Sequence, residues 1–391
     1  MTLAKRSLTS ERVARLPASG IRRFFDLAAG LPGVISLGVG EPDFVTPDAF
    51  REAAIRSIKE GKTQYTSNYG LLALREAIAE HTKEHRGVSY DPKNEILVTV
   101  GVSEAVDLAL RATLNEGDEV IVADPSYVAY VPGIVLAGGV PVQVATDEAN
   151  AFRLLPSDLK RAITPRTRAI LLGFPNNPTG AVLEADDVRG IAALAREHDL
   201  LVYADEIYDR LVYGAAHRSI LDEPGMKDRT IYLAGFSKAY AMTGWRVGYA
   251  CAPAEIVEQM MKIHQYTVMC VPTAAQYAAV EAIRNGEAEV QRMVAEYDKR
   301  RIRMYERFNA IGLRCFEPRG AFYCFPNVTS TGLSDGEFCE RLLTEEKVVV
   351  VPGNAFGERG AGHVRACYAA SMEKIDEACD RIERFVGRLR R

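Results

Sequence analysis

Lys238 ends the run T-I-Y-L-A-G-F-S (230–237) and precedes A-Y-A-M-T-G-W-R (239–246), so small and apolar residues surround it. Desolvation there lowers the pKa of a lysine and makes it the kind of amine that attacks a carbonyl to form an imine. A second apolar run, L-L-V-Y-A-D (200–205), leads into Asp205-Glu206-Ile207-Tyr208. A helical turn starting at Asp205 would set Tyr208, three residues on, beside the carboxylate; an N-cap would explain Asp205 but not Tyr208. F-P-N-N-P-T-G (174–180) follows a third run, with two prolines fixing a tight path and two asparagines, Asn176 and Asn177, offering amides. D-P-S-Y (124–127) brings the ring of Tyr127 to the same edge. Gly101-Val102-Ser103-Glu104 opens a helix, where free N–H groups and the dipole favour an anion, or where Ser103 is an ordinary N-cap.

These groups need a scaffold that gathers the ends of several runs. From about residue 95, I-L-V-T-V (96–100), E-V-I-V-A-D (119–124), R-A-I-L-L-G (168–173), L-L-V-Y-A-D (200–205) and T-I-Y-L-A-G-F (230–236) alternate with amphipathic stretches such as 103–114 and 184–198. That alternation predicts βαβ units, and the nearly continuous apolar runs predict a mostly parallel sheet covered by helices on both faces. A ligand site then lies at the carboxyl ends of the strands. After about residue 285 the texture changes to a long charged helix (288–310), short strands around 347–353 and 363–369, a helix near 335–346 and a terminal helix. The reading is an α/β fold with a large domain at 46–285, and a smaller α+β domain from 1–45 and 286–391. Five run ends converging at one edge supply an amine for an imine, a carboxylate for a heterocyclic nitrogen, and a phenol and an amide for a phenolic oxygen. With Arg246 beside a helix start for a phosphate, the set matches pyridoxal 5′-phosphate.

Composition removes other classes. The 48 basic and 52 acidic side chains give a net charge of −4 with no long basic run, which argues against nucleic acid or an anionic membrane as partner. The 7 cysteines, all beyond residue 250, form no C-x-x-C, and the 6 histidines read as surface or satisfied core residues, so neither a disulfide framework nor a metal site is expected. A reducing, cytoplasmic setting fits, and no apolar stretch follows Lys5 and Arg6 as a secretory signal would require. Residues 125–146 carry no charge, but Pro132, Gly133, Gly138, Gly139 and Pro141 turn this stretch into a buried helix, turn and strand rather than a membrane span.

The motifs I-S-L-G-V-G-E-P-D-F (35–44), Y-T-S-N-Y-G-L-L-A-L-R-E-A-I (65–78), P-N-N-P-T-G (175–180), D-E-I-Y (205–208), S-K-A-Y-A-M-T-G-W-R-V-G-Y (237–249) and H-V-R (363–365) span nearly the whole chain. With them the chain resembles the class I/II, fold type I pyridoxal-phosphate aminotransferases. The resemblance implies that Lys238 carries the cofactor as an aldimine and then moves the proton between substrate Cα and cofactor C4′. It implies Asp205 on the pyridine nitrogen, Tyr208 and Asn177 on the ring oxygen, and Tyr127 stacked on the ring. The phosphate falls to Arg246, Ser237 and the backbone at Val102 and Ser103, with Tyr65 reaching it from the other subunit of a homodimer with shared sites. Arg365, helped by Asn177 and the backbone near Gly40, is implied to clamp the substrate carboxylate. Read without the resemblance, Arg365 is a structural ion-pair residue and Tyr65 a loop tyrosine.

The same resemblance implies cis bonds before Pro125 and Pro178. It also marks departures: Tyr127 stands where relatives carry tryptophan or phenylalanine, Gly235 where some carry a serine or threonine phosphate contact, and Ser103 where an aspartate-directed branch places a lysine. I-R-R-F-F-D-L-A-A-G (21–30), N-Y-G-L-L-A-L-R-E-A-I (68–78) and H-Q-Y-T-V-M-C (264–270) look closest to the aromatic or broad-range branch and the N-acetyl-diaminopimelate branch. The expected reaction is a ping-pong transfer of an amino group between an L-amino acid, aromatic or broad in range, and 2-oxoglutarate. The alternatives are an aspartate or N-acetyl-diaminopimelate aminotransferase, or a C–S β-lyase on the same fold.

Overall fold

The computed structural model describes residues 8–14, 16, 31–214 and 216–390; the segment 21–30 and the residues before Leu8 lie outside the described residues. The strands in chain order are β1 (Ile35–Ser36), β2 (Ile96–Thr99), β3 (Glu119–Asp124), β4 (Val140–Ala145), β5 (Thr167–Gly173), β6 (Leu201–Asp205), β7 (Thr230–Gly235), β8 (Gly248–Cys251), β9 (Tyr323–Cys324), β10 (Val348–Val349), β11 (Val351–Pro352) and β12 (Val364–Cys367). A 7-stranded sheet has the order β2-β8-β7-β6-β5-β3-β4. β8 runs antiparallel to both neighbours, and the other pairings are parallel.

The period of two along each strand decides which core a side chain joins. Val120 and Val122 of β3, Ala169 and Leu171 of β5 and Tyr203 of β6 pack with helices Gly101–Thr113 and Ala254–Thr267. Ile121, Ile170, Leu172, Val202 and Ala204 point the other way, against helix Ala185–Glu197. Both faces are covered, as the unbroken apolar runs predict. The uncharged stretch 125–146 does contain a helix, Tyr130–Leu136, and β4, but it is less buried than expected. β4 is the sheet's edge, largely exposed or half-buried, and an edge strand tolerates Pro141, which cannot donate to a ladder. No described helix is long and apolar enough to cross a membrane. β8, with no valine, isoleucine or threonine in Gly248-Tyr249-Ala250-Cys251, is the strand that composition hides.

Beyond the sheet, β1 pairs in parallel with β10, and β12 lies between β11 and β9, antiparallel to each. The Cys367 N–H donates to Leu37 O at 2.7 Å, so the strand after Ile35 is stitched to the strand that carries Arg365. Helix Asp335–Glu346 begins in a capping box in which Ser334 Oγ accepts from the Glu337 N–H at 3.3 Å and the Ser334 N–H donates to Glu337 Oε2 at 3.1 Å. Helix Glu287–Ile311 stops at Gly312, whose φ of +83° suits glycine.

The parallel strands align their carboxyl ends, so Asp124, Gly173, Asp205 and Gly235 finish β3, β5, β6 and β7 at one edge. From β3 the chain steps outward to β4 and then returns to β5 on the other side of β3, which opens a crevice at that edge. The peptide bonds before Pro125 and Pro178 are cis, as is the bond before Pro175.

Candidate active site

A cavity of ≈ 670 Å³ opens at this edge, and Lys238, Asp205, Tyr208, Asn177, Arg365, Arg246, Ser237, Val102, Ser103, Tyr127 and Gly40 all line it. Tyr65 does not line the cavity of its own chain and is 79% exposed.

Lys238 follows β7 through Phe236 and Ser237, and its Nζ donates to Gly40 O at 2.6 Å. The rings of Phe322 and Tyr208 stand 5.5 and 5.7 Å from that nitrogen. Burial among these groups, helped by the nearby cations Arg365 and Arg246, lowers its pKa to about 8.

Asp205 ends β6, and the hydrogen-bonded turn that follows starts at Glu206, whose carbonyl accepts from the Asp209 N–H at 3.0 Å, and not at Asp205. The chain forms an Asx-type turn in which the Ile207 N–H donates to Asp205 Oδ1 at 3.2 Å. Oδ2 accepts from Tyr130 Oη at 2.8 Å. Burial pushes the carboxyl up to about 6, against the pull of these two hydrogen bonds. Tyr130 is the partner that sequence reasoning missed. The strand end makes room for it at Gly173, where a Cβ would lie 2.4 Å from Tyr130 Oη. Glu206 turns away from the cavity: its carboxylate accepts from Ser219 Oγ at 2.5 Å, meets His217 Nε2 at 2.7 Å and lies 3.4 Å from Arg86 Nη2. Burial alone would raise its pKa, but His217 and Arg86 hold it below the usual carboxylate value. This buried cluster pins the turn between Asp205 and Tyr208.

At the far side, helix Gly101–Thr113 starts without any side-chain cap. Ser103 is its third residue and is exposed, so the ordinary N-cap reading does not hold. Glu104 folds back on the Val100 N–H at 2.5 Å and meets His264 Nδ1 at 2.8 Å, which leaves the helix start facing the cavity at Val102 and Ser103. Arg246 crosses this point so closely that a Cβ on Gly101 would lie 2.5 Å from its Nη2. Free N–H groups, a helix dipole and a guanidinium are what a phosphate requires. Gly235 is explained by crowding: a Cβ there would lie 2.9 Å from Gly248 Cα and 3.0 Å from Val102 Cγ2.

Arg365, on β12, is buried between two rings, 4.5 Å from the centroid of Tyr323 and 4.8 Å from that of Phe356. Nη1 donates to Asn177 Oδ1 at 2.8 Å and Nη2 to Gly38 O at 2.6 Å, while Nε has no partner among the described residues. The surroundings hold Arg365 as a fork at the cavity wall, with no ion pair among the described residues. Asn177 spends its oxygen on Arg365 and keeps its NH2 for an acceptor in the cavity. Tyr208 Oη lies 2.7 Å from Tyr323 Oη, a second pairing that sequence reasoning missed. Tyr323 precedes Cys324 in β9 within G-A-F-Y-C-F (320–325), and only its pairing with β12 marks it as a site residue.

Comparison with known proteins follows the same lines. Residues 32–382 match the family model described as aminotransferase class I and II. The chain is 47% identical over 380 residues to the aromatic-amino-acid aminotransferase 2 of Thermococcus litoralis, covering 96% of this chain and 98% of that protein. It is also 47% identical over 380 residues to the aspartate aminotransferase of Pyrococcus abyssi, with the same coverage. The crystal structure of an aromatic aminotransferase from Pyrococcus horikoshii superposes with a TM-score of 0.90 at 45% identity, covering 94% of this chain and 99% of that one.

Proposed function

The chain belongs to the class I and II aminotransferases, and from that premise we propose that it exchanges an amino group between an L-amino acid, aromatic or broad in range, and 2-oxoglutarate, in two half-reactions at one site. The observation that carries this reading is a single cavity receiving the amine of Lys238, the carboxylate of Asp205, the amide of Asn177 and the guanidinium of Arg365. The residues fit pyridoxal 5′-phosphate: a buried carboxylate needs a cationic partner, and an uncapped helix start under Arg246 needs an anion. When bound, the cofactor supplies a ring that accepts the electrons released at the substrate's Cα.

In this reading Asp205, held by Tyr130 and the Ile207 N–H, keeps the ring nitrogen protonated. Tyr208 and the NH2 of Asn177 hydrogen-bond the ring oxygen, and Tyr127 covers the ring face. Val102, Ser103, Ser237 and Arg246 hold the phosphate. Lys238 is the point of covalent attachment and, once released, the base that takes the Cα proton; a pKa of about 8 leaves it partly neutral near neutral pH. Arg365 binds the substrate carboxylate by two parallel hydrogen bonds, beside the backbone at Gly40.

Tyr65 serves the phosphate of a second copy. Its exposure, and that of Tyr266 and Met269 on the segment to which Asn68 Nδ2 is bonded at 2.8 Å, supports a homodimer built across this face. We keep 46–285 as the cofactor-holding unit and 1–45 with 286–391 as the second. The aromatic or broad range rests on the lining. Lys238, Arg246 and Arg365 are its cations among the described residues, so a distal carboxylate finds no dedicated cation where Ser103 stands.

The test mixes the cofactor-loaded protein with single amino acids and follows conversion to the pyridoxamine form. Conversion by phenylalanine, tyrosine and glutamate supports the proposal. Exclusive response to aspartate and glutamate, or pyruvate from cystathionine without amino transfer, overturns it. Lys238→Ala is expected to abolish both the visible absorption band and turnover.

A further inference from the structure

A tyrosine hydroxyl has one proton to give and lone pairs with which to accept. Tyr208 and Tyr323 share a hydrogen bond of 2.7 Å in which either oxygen can be the donor, and both side chains are buried. The proposed function assigns the proton of Tyr208 to the ring oxygen of the cofactor. That assignment fixes the direction of the second bond, because Tyr208 can then only accept from Tyr323.

We propose that Tyr323 is a positioning residue with two separable parts. Its hydroxyl donates to Tyr208 and strengthens Tyr208 as a donor to the cofactor's ring oxygen, and its ring supports the guanidinium of Arg365. The inference rests on the reading of Tyr208 given above. Hydrogen bonds in series polarise one another, most strongly where water is excluded. The hydroxyl is held in place by contact: a Cβ on Gly40 would lie 2.3 Å from Tyr323 Oη, so Gly40 is the residue that leaves room for it. The same glycine presents the carbonyl that takes Lys238 Nζ at 2.6 Å. The ring lies 4.5 Å from Arg365 Cζ, and its residue pairs with Cys367, two positions along β12 from Arg365. Tyr323 thus touches both the group assigned to the cofactor oxygen and the group assigned to the substrate carboxylate.

The experiment uses the cofactor-loaded protein and the pH titration of its visible absorption band in the absence of substrate, with KM for the amino acid read separately. Tyr323→Phe keeps the ring and removes the hydroxyl. It is expected to raise the titration midpoint by about half a pH unit and to change KM by less than about threefold. Tyr323→Leu removes both parts and is expected to raise the midpoint and also KM, by about tenfold. The double variant Tyr208→Phe with Tyr323→Phe is expected to titrate as Tyr208→Phe does alone, since the hydroxyl acts through Tyr208. A Tyr323→Phe midpoint at the wild-type value, or additive shifts in the double variant, overturns the proposal. If Tyr208→Phe itself leaves the midpoint unmoved, the assignment of Tyr208 to the ring oxygen falls first, and this inference falls with it.

Discussion

Asp205 is placed for function at a cost in stability, and Asp205→Asn measures it. The residue is 6% exposed, and its carboxyl pKa is raised from 3.8 to about 6 by burial. A shift of roughly two units, at about 1.4 kcal/mol per unit, corresponds to about 3 kcal/mol. The sign follows from proton linkage. A group whose folded pKa lies above its unfolded value supports the fold below pH 3.8, and that support is lost as pH rises through about 6. Without cofactor, the wild-type protein therefore carries an uncompensated buried carboxylate at pH 8. Asparagine has nearly the same shape and no charge. Its oxygen can accept from the Ile207 N–H, and its NH2 can donate to Tyr130 Oη once that hydroxyl turns. We expect cofactor-free Asp205→Asn to be more stable than wild type by about 2 kcal/mol at pH 8, after allowing for imperfect hydrogen bonding. The advantage should shrink by roughly 1.4 kcal/mol at pH 5, where most of the folded wild-type carboxyl is protonated. Urea unfolding of both proteins at the two pH values reads the difference. With cofactor bound the order should reverse, because a protonated ring nitrogen compensates the carboxylate that asparagine lacks. A cofactor-free variant less stable than wild type at pH 8, or an advantage independent of pH, refutes the reasoning.

Four other outcomes follow from the same geometry. Arg365→Lys keeps a charge but loses the fork, so kcat/KM for amino and oxo acids alike should fall by about a hundredfold with the visible band unchanged, as steady-state kinetics and absorbance would show. Tyr130→Phe removes the donor to Asp205 Oδ2 at 2.8 Å and should lower kcat by about tenfold and weaken cofactor retention in dialysis. The attachment rate of cofactor to the cofactor-free protein should rise about tenfold per pH unit up to about 8 and then level, because only neutral Lys238 attacks; a flat profile in stopped-flow absorbance would contradict its assigned state. Glu206→Gln takes the buried carboxylate from His217 and the more distant of two from Arg86, which keeps Asp209 at 2.7 Å, and should destabilise the protein by about 2 kcal/mol in urea unfolding.

What the sequence exposed and what it hid divide along a physical line. Lys238, Asp205 and Asn177 were legible because each ends or follows an apolar run, and parallel strands bring such ends to one edge whatever the loops between them do. The residues that tune them were not. Tyr130 meets Asp205 across 75 positions, and Tyr323 meets Tyr208 across 115. Neither spacing has a period, so only the folded sheet reveals them. The same holds for Phe356, which faces Arg365 from the short 3-10 helix Gly353–Phe356 and appears in sequence as one apolar residue among many.

The glycines show how these hidden partners could be sought. Gly173 and Gly40 do not need a positive φ; they are small because Tyr130 and Tyr323 press against them. Gly101, by contrast, has a φ of +73° and also lies under Arg246, so conformation and contact both require it. Gly173 at the end of β5 and Gly40 in the segment after β1 each record a large side chain arriving from elsewhere, whereas Gly235 at the end of β7 records the backbone of Gly248. Here, in two cases, that side chain is a tyrosine whose hydroxyl bonds a group assigned to the cofactor. Substituting alanine at Gly173 or Gly40 should thus act on the chemistry through the displaced tyrosine, giving the lowered kcat of Tyr130→Phe or the titration shift of Tyr323→Phe respectively and not a loss of fold.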